Sequence, residues 1–434
     1  MKYHFLVSAP SSNSGKTTVT LGLIKLFKEK GMTVQVFKCG PDYIDTKFLS
    51  QAAQRPAINL DTFMMSPDHV KDLYQRYSDT ADVSIIEGVM GLFDGSDRMQ
   101  GSSAEIAILL DVPVILVLPT KASAYSVAPI LYGFKNFDPR IKIAGVIFNH
   151  VNTISHYNFL KDSAADVGVP CFGFVPGSDE IKIPSRHLGL TLESNGDAII
   201  QKIAAHISKT VSLDTITETC LVTDRGSSRQ SAPVHTERSR LKIAIAHDAA
   251  FTFTYHENIE VLNRRYDVVF FSPLEDSSIP EADILYLAGG YPELFLDRLS
   301  ANISMKQSLA VYCDNGGKVL AECGGIMYLG NAIIDSSGKP YDMSGVLDLQ
   351  TSMAERVLTL GYRKFALNNE IYCGHEFHYS ALRTKFPIAA IGDIRNAKDE
   401  PVKMKVYRYK NVIASYMHFY WGDKISFIEE IFQI

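Results

Sequence analysis

Apolar residues in the first half of the chain gather in short, nearly continuous runs at positions 3–7, 33–38, 83–86, 114–118 and 143–148. Unbroken runs of this length suit parallel strands covered on both faces. Between them lie stretches of helical periodicity, including 17–30 and 102–110. Strand and helix in alternation predict a doubly wound α/β domain with a parallel sheet. From residue 208 to 240 the pattern dissolves into Ser, Thr, Arg and Gln, which reads as a linker. A second strand series follows at LKIAIAH and continues at 266–271, 284–287, 318–321 and 412–416. The expected organisation is one α/β domain over 1–207, a linker over 208–240 and a second α/β domain over 241–434, with no internal repeat.

Composition narrows the class. A chain of 434 residues is too long for one ordinary core, in keeping with two domains. A hydrophobic fraction of 46%, a charged fraction of 21% and a net charge of −5 describe a soluble globular protein and argue against general nucleic-acid binding. The six cysteines form no CxxC pair and no zinc spacing, so they read as reduced thiols. No run is long enough to span a bilayer, and MKYHFLVSAP lacks the form of a signal peptide. The expectation is a cytoplasmic enzyme without a membrane or nucleic-acid partner.

Candidate chemistry lies at both ends. Ser14-Gly15-Lys16-Thr17-Thr18 follows a strand and opens a helix, the context of a phosphate-binding loop. Amide groups from Ser12, Asn13, Ser14, Gly15, Lys16, Thr17 and Thr18 can surround the phosphates of ATP. Lys16 can neutralise the transferred group, and the Thr17 hydroxyl can ligate Mg²⁺. Pro10 stands where the strict motif has Gly, and Ser11 where partitioning-type ATPases have a second lysine. Glu87 ends an apolar strand, so its carboxylate faces the crevice where ligands bind in such sheets and could hold Mg²⁺. The loop Gly40-Pro41-Asp42-Tyr43-Ile44-Asp45 brings two carboxylates and a phenol to the same edge for metal or substrate contact.

At the other end, Leu320-Ala321-Glu322-Cys323-Gly324-Gly325 is a strand breaking into a helix through a small-residue turn. Such an elbow exposes a nucleophile, and the next amide groups can bind a developing oxyanion. A thiol nucleophile and a nucleotide loop in one chain predict two half-reactions coupled through an intermediate. His375-Glu376-Phe377-His378 is HExH rather than the zincin HExxH, and on an extended strand its two histidines face opposite ways, which disfavours a metal site.

The motifs KCGPDYID, EGVMGLFDG, PSRHLGL, AGGYPE, AECGGIMYL, LGYR and GHEFHYS occur in the order seen in cobyrinate a,c-diamide synthases, which the chain resembles over nearly its whole length. The resemblance implies a P-loop, dethiobiotin synthetase-like domain fused to a class I glutamine amidotransferase domain. It implies ATP, Mg²⁺, L-glutamine and a corrinoid substrate, and amidation through an acyl phosphate. It places Asp45, Glu87 and Asp94 around metal and substrate, Asn149 against adenine and Arg186 beside a substrate carboxylate. It makes Cys323 the nucleophile, His418 its base, and the amides of Gly290 and Gly324 the oxyanion hole. It assigns the GHEFHYS segment to substrate contact or a domain interface. The chain departs from the pattern at Thr46, Leu49 and Tyr420, and it lacks the Glu two residues after His418 that completes the usual triad. What orients His418 is therefore open: a carboxylate from elsewhere, a backbone carbonyl, or nothing strong. Two alternatives stay open as well. One is the same diamidation of nickel-sirohydrochlorin or hydrogenobyrinate. The other is a P-loop switch protein whose amidotransferase domain is degenerate.

Overall fold

A computed structural model describes residues 2–183, 192–222, 239–356 and 358–434. The chain forms two compact units, Met1–Ala232 and Pro233–Ile434. Among the described residues no helix is long and apolar enough to cross a membrane.

In the first unit the five apolar runs become β1 (Lys2–Ser8), β2 (Val34–Cys39), β4 (Val83–Glu87), β5 (Val114–Pro119) and β6 (Ile143–Asn149), and two strands outside those runs, β3 (Ile58–Leu60) and β7 (Cys171–Val175), join them. They lie parallel in the order β3-β2-β4-β1-β5-β6-β7. The runs are continuous because each strand feeds two cores. Ile115 and Val117 join Phe5, Val7 and Ile85 under the helices Lys16–Glu29 and Leu192–Ile207, which contribute Leu23, Phe27, Ile203 and Ile207. Leu116 and Leu118 point the other way, onto Val127, Leu131 and Leu160.

Residues 208–222, whose polarity suggests linker, instead belong to this unit. Leu213–Thr219 is a helix whose N-cap Ser212 accepts the Thr215 N–H, and β8 (Leu221–Val222) adds antiparallel to β1. Val211, Ile216 and Cys220 are buried in the first core. Four threonines around them in this short stretch hide a sparse apolar face. The rest of the expected linker up to residue 238 lies outside the described residues.

The second unit contains β9 (Lys242–Ala246), β10 (Asp267–Phe271), β11 (Ile284–Leu287), β12 (Lys318–Glu322), β13 (Ala332–Ile334), β14 (Pro340–Asp342), β15 (Leu349–Ser352), β16 (Thr359–Leu367), β17 (Glu370–His378), β18 (Ala381–Thr384), β19 (Ala390–Asn396), β20 (Pro401–Tyr409), β21 (Val412–Ser415) and β22 (Met417–Phe419). Its main sheet runs β10-β9-β11-β12-β21-β20-β19-β16-β17-β22, while β13, β14, β15 and β18 form a small separate sheet. From β10 to β21 the pairing is parallel, matching the second apolar series. Beyond β21 it is antiparallel. These added strands are half exposed, as befits antiparallel ribbons wetted on one side. Their weak periodicity left them unread, yet β17 carries GHEFHYS to β22 and so to His418.

Candidate active site

The first unit's candidate site lies at the carboxyl ends of β1, β2, β4 and β6. Gly15 caps the helix Lys16–Glu29 with φ of 95°, and a methyl group there would sit 2.2 Å from Asn149 Nδ2. Only glycine meets both demands. Asn149 is tied to the loop, its Nδ2 donating to the Ser14 carbonyl at 2.9 Å. Lys16 Nζ donates to the carbonyls of Ser11 and Met90.

Behind the loop is a buried polar cluster. The register of β2 and β4 pairs Lys38 with Glu87. Lys38 Nζ donates to Glu87 Oε1 at 2.7 Å and to Asp45 Oδ2 at 2.8 Å, and Thr17 Oγ1 donates to Glu87 Oε1 at 2.8 Å. Burial works to lower the Lys38 ammonium, but Glu87, then Asp45 and Asp42, outweigh it and hold it above the usual lysine range. Burial pushes the Glu87 carboxyl up, against the pull of Lys38. Lys38 was not singled out from sequence, although the rule that selects Glu87 also selects it: a charge at the carboxyl end of an apolar parallel strand.

Glu87 is fully buried and its Oε2 makes no hydrogen bond, so that oxygen and the Thr17 hydroxyl suit a hard cation. Two carboxylates and a hydroxyl fit Mg²⁺, which takes few protein ligands and completes its shell with phosphate and water. The cluster opens into a cleft of about 980 Å³ lined also by Ser12, Asn13, Thr18, Asp42 and Asn149. His150, Asn152 and Gly177 to Asp179 extend the lining beyond what the motifs indicated.

Three expected substrate contacts stand differently. Asp42 lines the cleft, but its Oδ1 also accepts the N–H groups of Ile44 and Asp45 at 2.8 and 2.9 Å, turning the chain into the helix Ile44–Ala53. Tyr43 is buried and absent from the lining. Asp94 is exposed, also off the lining, and its Oδ2 accepts the Gly91 N–H at 2.9 Å, which shapes the EGVMGLFDG loop. A short loop cannot aim every carboxylate into the cleft, because some are needed to close its own turns. Arg186 lies outside the described residues.

In the second unit Cys323 sits between β12 and the helix Gly324–Leu329 at φ of 44° and ψ of −100°. A β-carbon at such a φ is strained, as expected of a nucleophile elbow. The Cys323 N–H donates to the Ser415 carbonyl at 2.8 Å, locking the elbow to β21. A methyl group on Gly324 would lie 3.1 Å from the Gly290 nitrogen, so the two expected oxyanion donors are neighbours. A methyl group on Gly289 would lie 2.2 Å from His418 Cε1, so the imidazole rests on the same glycine turn.

His418 is fully buried. The antiparallel register of β17 and β22 pairs it with His375, and the rings stack at 4.9 Å and 15°. His375 Nδ1 is bonded to the Tyr255 hydroxyl at 2.7 Å, and Tyr255 packs edge-on against Tyr420. Glu376 accepts from Arg363 Nε at 2.6 Å and is bonded to His378 Nε2 at 2.8 Å, while the Phe377 carbonyl lies 3.8 Å from Cys323 Sγ. GHEFHYS thus walls the thiol site, a place its motif did not reveal. Burial drives the Cys323 thiol well above its usual range, with Glu293 adding to the effect, and burial followed by His375 and His378 drives His418 well below its own. Burial therefore leaves both the thiol and the imidazole uncharged at rest.

A model of the CobQ/CobB/MinD/ParA nucleotide binding domain matches residues 5–190, and one of the CobB/CobQ-like glutamine amidotransferase domain matches residues 242–425. The cobyrinate a,c-diamide synthase of Listeria innocua is 37% identical over 98% of this chain and 98% of its own. That of Picrophilus torridus is 39% identical over 96% of this chain and 95% of its own. A nucleotide cleft and a thiol–imidazole site within one polypeptide, together with this full-length similarity, make the chain a glutamine-dependent amide-forming ligase that belongs to the cobyrinate a,c-diamide synthase family.

Proposed function

We propose that the chain amidates the a and c carboxylates of cobyrinate at the expense of ATP and glutamine, in cobalamin biosynthesis. One observation carries the reading: the chain has an acid–lysine–hydroxyl cluster behind a phosphate loop, and a strained thiol elbow and a buried imidazole that rest on one glycine turn. In the first half-reaction a substrate carboxylate oxygen attacks the γ-phosphorus, ADP leaves, and an acyl phosphate forms. Lys16 and the loop amides stabilise charge on the transferring group. Thr17 and Glu87, with Asp45 nearby, would hold Mg²⁺, which would supply positive charge against the triphosphate. Asn149 meets the adenine side of ATP. Asp42 and Asp45 contact the macrocycle, Tyr43 and Asp94 hold the loops that present them, and Arg186 pairs with a substrate carboxylate.

In the second half-reaction Cys323 passes its proton to His418 and attacks the glutamine side-chain amide. The amides of Gly290 and Gly324 take the oxyanion, ammonia leaves with the His418 proton, and water releases glutamate from the thioester. Ammonia then attacks the acyl carbon and phosphate departs. The Cys323→Ala variant is expected to lose glutamine-driven amidation and keep ammonium-driven amidation. Retained glutamine use, or loss of both nitrogen sources in a folded protein, would defeat the assignment. Mass spectrometry of products from cobyrinate, hydrogenobyrinate and nickel-sirohydrochlorin tests the substrate, with two added amides on cobyrinate as the expected result.

A further inference from the structure

The residue before the nucleophile is an acid sealed in the same wall. Glu322 is 1% exposed. Its Oε1 accepts the Phe419 N–H at 3.0 Å, and its Oε2 accepts the Tyr286 hydroxyl at 2.9 Å. That same Oε2 lies 3.9 Å from His418 Nδ1. One carboxyl group therefore grips the backbone just after His418 and sets an oxygen opposite the ring nitrogen. The strand register makes this possible. Glu322 on β12 is paired with Ser415 on β21, and the chain then needs only the short turn into β22 to return His418 beside it.

We propose that Glu322 is the positioning residue for His418, holding Nδ1 as the protonated nitrogen so that Nε2 is left to take the Cys323 proton, and stabilising the imidazolium that results. The proposal rests on the glutaminase reading of Cys323 and His418 and adds to it the carboxylate that is absent two residues after His418. The separation is longer than a hydrogen bond, as is common for catalytic contacts before substrate closes them. Two donors already point at the carboxyl oxygens, hydrogen bonds that pull it toward its acceptor-only, ionised form. Tyr286 stays a donor because burial, with Glu322, raises its own ionisation far above neutrality. Burial, only partly offset by the Phe419 N–H and the Tyr286 hydroxyl, pushes the Glu322 carboxyl up to about 8. An imidazolium alongside works against that, so the two groups titrate as a pair. The other charged or titratable groups facing the site are His375, Glu376 and His378 on β17, Glu293 after β11, and Tyr416.

The test compares the full-length parent with Glu322→Gln and Tyr286→Phe. It measures glutamine hydrolysis and the pH at which iodoacetamide half-maximally alkylates Cys323, read from the Cys323 peptide by mass spectrometry. Removing the negative charge lowers the population of the thiolate–imidazolium pair at neutral pH, so reactivity must wait for the thiol's own ionisation. Glu322→Gln is expected to lower kcat by about 10²-fold with little change in KM, and to move the alkylation midpoint up by about one pH unit. Tyr286→Phe, which keeps the carboxyl, is expected to shift the midpoint less and in the same direction. A Glu322→Gln protein with the parent's kcat and midpoint overturns the proposal. So does lost kcat with an unmoved midpoint, which marks a structural role alone. Should Glu322→Gln not fold, an unmoved midpoint in Tyr286→Phe overturns it. If the parent hydrolyses glutamine no faster than Cys323→Ala, the glutaminase reading itself fails, which separates the two outcomes.

Discussion

Two imidazoles stacked in a sealed wall give up protons that the same side chains would keep in water. Burial, then the Arg363 guanidinium, pushes His375 down to about 3 from an ordinary 6.5, and burial, then its histidine neighbours, holds His418 well below its usual range. Below pH 6.5 the unfolded chain binds protons that the folded one refuses. The stability these groups contribute is therefore present above 6.5 and lost as pH falls toward 3. Glu322 has the opposite sign. Its carboxyl is raised from 4.5 to about 8, so its contribution is present below 4.5 and lost as pH rises through 8. Trp421, the only tryptophan in the chain, is buried in the second unit, so its fluorescence follows the unfolding of that unit. We expect the Trp421 melting midpoint to fall as pH drops from 6.5, and to fall less steeply in His375→Asn. The stake is about 1.4 kcal/mol for each pH unit by which a pKa is displaced. An identical acid slope in the variant counts against the buried-imidazole account. At this scale Cys323 and Lys16 were readable because a small-residue turn and a Gly-Lys helix start are local patterns. Glu322 and His375 were not, because their partner His418 is 96 and 43 residues away in sequence.

Elements place these side chains through strand ends. Parallel strands end at one edge, so whatever follows β1, β2 and β4 converges on a single crevice, as does whatever follows β11, β12 and β21 in the second unit. Each crevice is then shaped by glycines that leave no room for a side chain. Gly15 touches Asn149, and Gly289 touches His418. Gly289→Ala puts a carbon into the His418 ring and should move that base out of line. The expected result is a fall of about 10²-fold or more in glutamine hydrolysis, with ammonium-driven amidation preserved. An unchanged glutaminase rate would show that His418 does not need its seat on this turn. From the residues alone the Gly289-Gly290 pair reads as a tight bend, and the resemblance is what made Gly290 an oxyanion donor. Most of the parallel strands were legible from their continuous apolar runs, the short β3 and β7 excepted, whereas the antiparallel strands from β16 to β20 were not, because half-wetted ribbons with bulges blur the alternation.

For the whole molecule, every residue assigned to phosphate transfer lies in the first unit and every residue assigned to glutamine cleavage in the second. Lys16→Ala should therefore abolish amide formation with glutamine and with ammonium while leaving glutamine hydrolysis measurable, the mirror image of Cys323→Ala. Loss of glutamine hydrolysis in Lys16→Ala would mean that the second half-reaction depends on the first site. The order of motifs along the chain was enough to determine the α/β class, the nucleotide loop, the thiol elbow and the family, since each rests on neighbours in sequence: a strand, a turn and the residues that follow. Only the tertiary structure decided that residues 208–222 belong to the first unit, that Tyr43 and Asp94 stand off the cleft, that Lys38 bridges Asp45 and Glu87, and that GHEFHYS and Glu322 close around His418. Those outcomes depend on strand register and on which side chains end up sealed together. Register joins residues far apart along the chain through backbone bonds that carry no local sequence signal.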